Sequence, residues 1–98
     1  MYEALFARSG LSLERLRSLI QVAEAGGISR AVGGDPTRQS LVSRQLKELE
    51  EFFEVELTRR DGKRLALTPA GRALVEVARE HLAALGEKLE ELQTIRSS

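Results

Sequence analysis

Between Thr68-Pro69 and Ile95 the chain has no further proline, and its glycines are Gly71, in the first turn, and Gly86. Proline is favoured at a first helical position, where its missing N–H costs nothing, and threonine just before it is a good N-cap. The run predicts a single helix about 40 Å long at 1.5 Å per residue. The whole chain has only 98 residues, enough for one small domain with a thin core. Such a domain cannot cover a rod of that length. Val75, Ala78, Leu82, Leu85, Leu89 and Leu92 recur at steps of three and four, the spacing of coiled-coil a and d positions. Leu74 and Val77 widen the apolar face near the domain. Beyond its first two turns this helix needs a partner, and a second copy in a two-fold dimer is the simplest one. Gly86 is its weak point, costing about 1 kcal/mol relative to alanine. His81 is expected to be an exposed residue of the same helix.

A second helix, from Thr37 to Phe53, carries the chemistry. Val42, Leu46, Leu49 and Phe53 fall at steps of four, three and four and make one apolar stripe. Gln39, Ser40, Ser43, Arg44 and Lys47 lie off it. From Arg38 to Lys47 there are three bases and no acid, whereas Glu48, Glu50, Glu51 and Glu54 crowd the other end. A helix whose N-terminal half enters a DNA groove has reason to sort its charge this way. Its free N–H groups and positive dipole end favour phosphate, and Gln, Arg and Ser can read base edges. Taken alone, the helix fits an amphipathic element with a solvated polar face slightly better, and its surroundings reverse that.

Those surroundings form a pattern. Tyr2, Leu5 and Phe6 could share one face of a short N-terminal helix ended by Gly10, packed on the domain or on a partner chain; a disordered start is the alternative. Ser12 is a good N-cap for LERLRSLIQVAEA, with Leu13, Leu16, Ile20 and Ala23 as core stripe, widened by Leu19. Gly26-Gly27 ends that helix. Residues 28–33 read as a short helix, followed by a strong turn signal in Gly33-Gly34-Asp35-Pro36. Pro36 suits a first helical position with Asp35 as cap, and Thr37 is the competing cap. Helix, tight turn, helix is a helix-turn-helix. After Phe53 the period drops towards two. Residues 56–60 and 63–67 read as a hairpin around an Asp61-Gly62 turn, with Leu57, Leu65 and Leu67 inward. Arg59, Arg60, Lys63 and Arg64 crowd its tip. Basic tips also serve solubility and edge protection, but beside a reading helix a phosphate-gripping wing is expected.

Composition narrows the function classes. The 15 Lys and Arg balance 15 Asp and Glu, so a DNA-binding surface here is local, with a modest non-specific component. There is no cysteine and one histidine, which leaves no thiolate metal site, disulfide or nucleophile–histidine pair. Gly-rich phosphate loops and paired carboxylates are also lacking, so an enzyme is not expected. Tyr2, Phe6, Phe52 and Phe53 are too few for a single-strand stacking platform. No apolar run approaches a membrane span, and nothing resembles a signal peptide, so a cytoplasmic protein is expected.

The order of elements and the wording of the chain together resemble the N-terminal winged helix-turn-helix domain of LysR-type transcriptional regulators. The likeness runs ungapped from about Leu13 to Gly71. LIQVAEAGGISRAV is similar to the family's first two helices, RQSLVSRQLKELEEFFEVELTRR to its recognition helix and first wing strand, and GKRLALTPAG to its second wing strand and the start of its linker helix. The resemblance implies base-edge contacts from Arg38, Gln39, Ser40 and Ser43, with Arg44 and Lys47 on bases or phosphates from the same face. It implies backbone contacts from Ser29 and Arg30 and from the wing residues Arg59, Arg60, Lys63 and Arg64. Thr68-Pro69-Ala70-Gly71 would open the linker helix through which family members dimerise. GGDPTR replaces the family's usual text between Val32 and Gln39. The second helix should therefore be short, and the recognition helix should start early.

The expected fold is a mainly α winged helix-turn-helix with a two-stranded wing, at residues 12–67. An extension at 1–11 precedes it, and a linker and dimerisation helix at 68–98 follows, presenting Val75, Ala78, Leu82, Leu85, Leu89 and Leu92. The expected partners are double-stranded DNA, on a partly palindromic site, and a second copy of the chain. No membrane and no cofactor are expected. A small-molecule effector would need the family's C-terminal domain, which these 98 residues do not include. The alternative is a winged-helix protein-interaction module, or a partner that heterodimerises with a full-length regulator.

Overall fold

The structure is a computed structural model that describes residues 1–62 and 64–97. A 3-10 turn at Glu3–Phe6 leads into helices α1 (Leu13–Ala25), α2 (Ile28–Ala31) and α3 (Pro36–Phe53). Strands β1 (Thr58–Asp61) and β2 (Arg64–Leu67) form an antiparallel wing, and helix α4 (Pro69–Ser97) follows.

Local chemistry sets most of these boundaries. The Ser12 hydroxyl accepts from the Arg15 N–H at 3.1 Å and starts α1. Two consecutive left-handed glycines, Gly33 (φ 62°) and Gly34 (φ 79°), keep α2 to one turn. Side chains with a Cβ resist this conformation, so the chain reverses here at little cost. The competition for the α3 cap is resolved for Asp35, whose Oδ1 accepts from the Thr37 N–H at 3.0 Å with Pro36 at the first position. At the far end Glu54 turns left-handed at φ 55° and stops the helix.

The core joins Leu19 and Val22 of α1, Val32 at the end of α2, Val42, Leu46 and Leu49 of α3, Leu57 before β1, and Val75 of α4. Two stripes differ from the expected ones. In α1 the buried centre is Leu19 and Val22; Leu16, Ile20 and Ala23 flank it, and Leu13 is exposed. The cause is that α1 packs against both α3 and α4, so its buried face is the strip between two neighbours. In α3 the fourth buried residue is Phe52, while Phe53 is half-buried. Phe52 is covered by the N-terminal segment: Gly10 approaches it closely at φ 121°, and the Arg8 guanidinium lies 5.8 Å from its ring centroid. The two rings meet edge to face at 5.0 Å.

Arg8 also pairs with Glu54 at 3.2 Å, and its guanidinium holds the Glu54 carboxyl below the usual carboxylate range. Tyr2, Leu5 and Phe6, expected on one face of a helix, remain exposed, and the turn they form closes at Ala7 rather than Gly10. The segment is therefore attached through Arg8 and Gly10, not through its apolar side chains.

In the wing, Thr58 pairs with Leu67 and Asp61 with Arg64. Asp61 is thus the last paired residue of β1, and the turn lies one residue later than expected, beginning at Gly62 with φ 66°. Leu57 is buried, and Leu65 and Leu67 pack against the core as expected. Thr68 locks wing to helix. Its N–H donates to the Leu57 carbonyl at 3.0 Å, its hydroxyl donates to the Glu56 carbonyl at 2.6 Å, and the same oxygen accepts from the Gly71 N–H at 3.0 Å.

Helix α4 runs 29 residues, and its stripe divides at about Leu82. Val75 and Ala78, expected among the residues that meet a partner, are instead buried in their own domain, because the first turns of α4 lie against α1. Leu82 is half-buried. Leu85, Leu89 and Leu92, with Ile95, are more than half exposed. His81 is exposed, as expected.

Candidate nucleic-acid interface

The N-terminal half of α3 presents one open concavity, lined by Pro36, Gln39, Ser40, Ser43, Arg44 and Lys47. All six are exposed. At about 100° per residue, Gln39, Ser43 and Lys47 follow one another around the helix, with Ser40 and Arg44 beside them. The opposite side of α3 carries Val42, Leu46 and Leu49 into the core. The apolar face thus anchors the helix and turns the amide, hydroxyl and cationic groups outward. Arg38 is exposed but does not line this concavity, since it is about 100° from Gln39 on the side away from Ser43. Pro36 is a lining residue that side-chain chemistry alone had not singled out.

Three acids at the far end of α3, Glu48, Glu50 and Glu54, have partners within the domain. Glu50 accepts from the Leu57 N–H at 2.9 Å and tethers the strand entrance. Glu54 holds Arg8, and Glu48 takes a hydrogen bond from Arg15 Nη2 at 2.6 Å. Behind the reading face, the Ser18 hydroxyl donates to Gln45 Oε1 at 2.6 Å and links α1 to α3. These acids therefore serve as structural ties, which leaves Arg38, Arg44 and Lys47 to dominate the field at the N-terminal end.

Ser29 and Arg30 are exposed on α2, and Arg59 and Arg60 are exposed on β1. Lys63 lies outside the described residues, and for Arg64 only the backbone is described. Among the described residues no group of histidine and carboxylate side chains is placed to hold a metal ion, and no helix is long and apolar enough to cross a membrane.

This arrangement has relatives. The model of the bacterial regulatory helix-turn-helix proteins of the lysR family matches residues 13–72. The chain belongs to the LysR family. As a LysR-family domain it is 37% identical over 92 residues to a probable nitrogen assimilation transcriptional activator of Synechococcus elongatus, covering 90% of this chain and 29% of that protein. It is 38% identical over 85 residues to the HTH-type transcriptional activator AllS of Klebsiella pneumoniae, covering 87% of this chain and 32% of that one. The chain thus spans about a third of the length of these two regulators. Its fold matches the DNA-binding domain of BenM in complex with benA site 1 DNA, with a TM-score of 0.82 at 25% identity over 90% of this chain and 99% of that one. It also matches the CbnR DNA-binding domain in its DNA complex, with a TM-score of 0.79 at 30% identity over 87% and 98% of the two chains. The mainly helical winged fold with a long C-terminal helix is therefore that of LysR-family DNA-binding domains.

Proposed function

We propose that this LysR-family domain is the sequence-specific DNA-binding part of a transcriptional regulator, acting as a dimer in the cytoplasm and not as an enzyme. Residues 12–67 form the DNA-binding unit and residues 68–98 the linker that dimerises. The N-terminal half of α3 enters the major groove, where Gln39, Ser40 and Ser43 meet base edges and Arg44 and Lys47 meet bases or phosphates. Ser29 and Arg30 approach the phosphate backbone from the start of the motif, and Arg38, outside the concavity, is assigned to a base edge at the first turn of α3. Arg59, Arg60, Lys63 and Arg64 grip phosphates from the wing. The observation that carries this reading is the exposed, acid-free concavity on α3. Fold neighbours that were crystallised on DNA support it.

Leu82, Leu85, Leu89 and Leu92 provide the dimer seam, supported by their spacing and by the exposure of the last three. Two reading helices related by a two-fold axis need half-sites about 34 Å apart, or a multiple, on a partly palindromic site. Selection of random duplex DNA by the purified chain, at low and physiological salt, tests this, with the mass in solution measured on the same sample. An inverted repeat enriched by a dimer is expected. Enrichment of nothing, with binding lost entirely as salt rises, would sink the reading and leave a protein-interaction module.

Two substitutions separate the roles. Gln39→Ala is expected to cost about 1–3 kcal/mol on the selected site and to blur the preference at one base pair. An equal loss on random DNA would remove Gln39 from base reading. Arg60→Ala is expected to weaken binding to all sequences alike and to make the slope of log K against log salt shallower by about 0.9. An unchanged slope would take the wing off the phosphates.

A further inference from the structure

One carboxylate of α3 stands between two arginines of different kinds. Glu48 Oε2 receives Arg15 Nη2 at 2.6 Å, and its Oε1 lies 3.9 Å from Arg44 Nε. Arg15 belongs to α1 and is three-quarters buried, and its Nη1 also reaches the Ser12 hydroxyl at 3.3 Å. Its Nε is buried without a hydrogen-bond partner, and among the described residues Glu48 is the one carboxylate paired with its guanidinium. Arg44 lies on the reading concavity and is 71% exposed. Glu48 is therefore fixed on its inner side by a half-buried ion pair and offers its free oxygen to the outer arginine.

A long exposed arginine samples many rotamers, and ordering it on binding costs entropy. A free Arg44 would also sweep a wide arc and take any phosphate within reach. We propose that Glu48 is a positioning residue for Arg44. Held by Arg15, it limits the directions the Arg44 side chain takes at the edge of the concavity and so raises discrimination between the chosen sequence and random DNA. The inference rests on the DNA-binding reading above. An exposed pair four residues apart on a helix is weak. A correctly placed base or phosphate can take Arg44 from it, whereas a poorly placed phosphate gains little by doing so. Because Arg15 neutralises Glu48, the tether adds no net negative charge to the reading face.

The test is the charge-neutral pair Arg15→Met/Glu48→Gln, which removes the tether and leaves neither partner buried alone. Replacing a buried ion pair in this way is often tolerated, and the thermal midpoint of the variant confirms that it folds. Affinities are measured by titration against the sequence selected by the wild-type chain and against random duplex DNA, across a salt series. The ratio of the two affinities is expected to fall about two- to threefold, the size a pair of this exposure supports. The salt slope on random DNA should become steeper, by up to ~0.9, as Arg44 takes phosphates freely. The same change made in an Arg44→Ala background should leave the ratio unaltered. An unchanged ratio would overturn the proposal, and so would an equal shift in the Arg44→Ala background, since the effect would then not pass through Arg44. A wild-type chain that selects no sequence would instead overturn the DNA-binding reading itself.

Discussion

Gly71→Ala is expected to lower the thermal midpoint of the domain by about 12 °C or more at fixed protein concentration. An added Cβ at Gly71 would collide with the Leu57 carbonyl oxygen and lie 3.0 Å from the carbonyl carbon and 3.3 Å from the Leu57 Cα. All three are backbone atoms, so no rotamer change relieves the overlap. Gly71 is buried in the first turn of α4, where the helix leans directly on the chain entering β1. Relief requires α4 and the strand to separate, and that breaks the Thr68 lock on Leu57 and Glu56. Overpacking and the loss of these bonds together amount to about 3 kcal/mol or more. For a domain of this size each kcal/mol moves the midpoint by about 4–8 °C. Both the wing and the long helix would lose their set position relative to α3, so DNA affinity should fall further than stability alone explains. A midpoint within about 2 °C of the parent would show that the junction yields more easily than its geometry implies.

Leu49→Ala is the second large effect, with an expected loss of about 2–5 kcal/mol. Leu49 is fully buried where α3 meets the core beside Leu19 and Leu46. The lost transfer energy adds to a cavity that rigid neighbouring helices cannot fill. The consequence reaches the candidate interface, because Val42, Leu46 and Leu49 are what turn Gln39, Ser43 and Lys47 outward. Leu13→Ala is the contrast: at 56% exposure it should change stability by no more than about 0.5 kcal/mol. Chemical denaturation of both variants checks this. Equal losses would return Leu13 to the core and contradict the buried face assigned to α1.

A good deal of this protein is determined by the sequence alone. Ser12, Asp35-Pro36 and Thr68-Pro69 mark helix starts through side-chain oxygens and proline geometry, and these are local interactions that need no tertiary context. The paired glycines before Asp35 make α2 short for the same local reason. The sorting of bases to one end of α3 and acids to the other is legible directly, as is the surplus length of α4. The family follows from the order and wording of these parts.

The tertiary structure decided which neighbour each face meets. A helical period places Phe52 and Phe53 on adjoining faces, and only the N-terminal segment, through Gly10 and Arg8, selects Phe52 for burial. In α1 the centre moves from Leu16 and Ile20 to Leu19 and Val22 because two helices press on it. The hairpin turn moves by one residue because Asp61 pairs with Arg64 and so belongs to β1. The single stripe of α4 is divided by the edge of its own domain, which takes Val75 and Ala78 and leaves Leu85, Leu89 and Leu92 outside. The role of Glu48 depends on Arg15, which is 33 positions away in the chain and 2.6 Å away in space. Caps and charge order act within a few residues and can be read from the sequence, whereas burial and ion pairing depend on which elements come together when the chain folds.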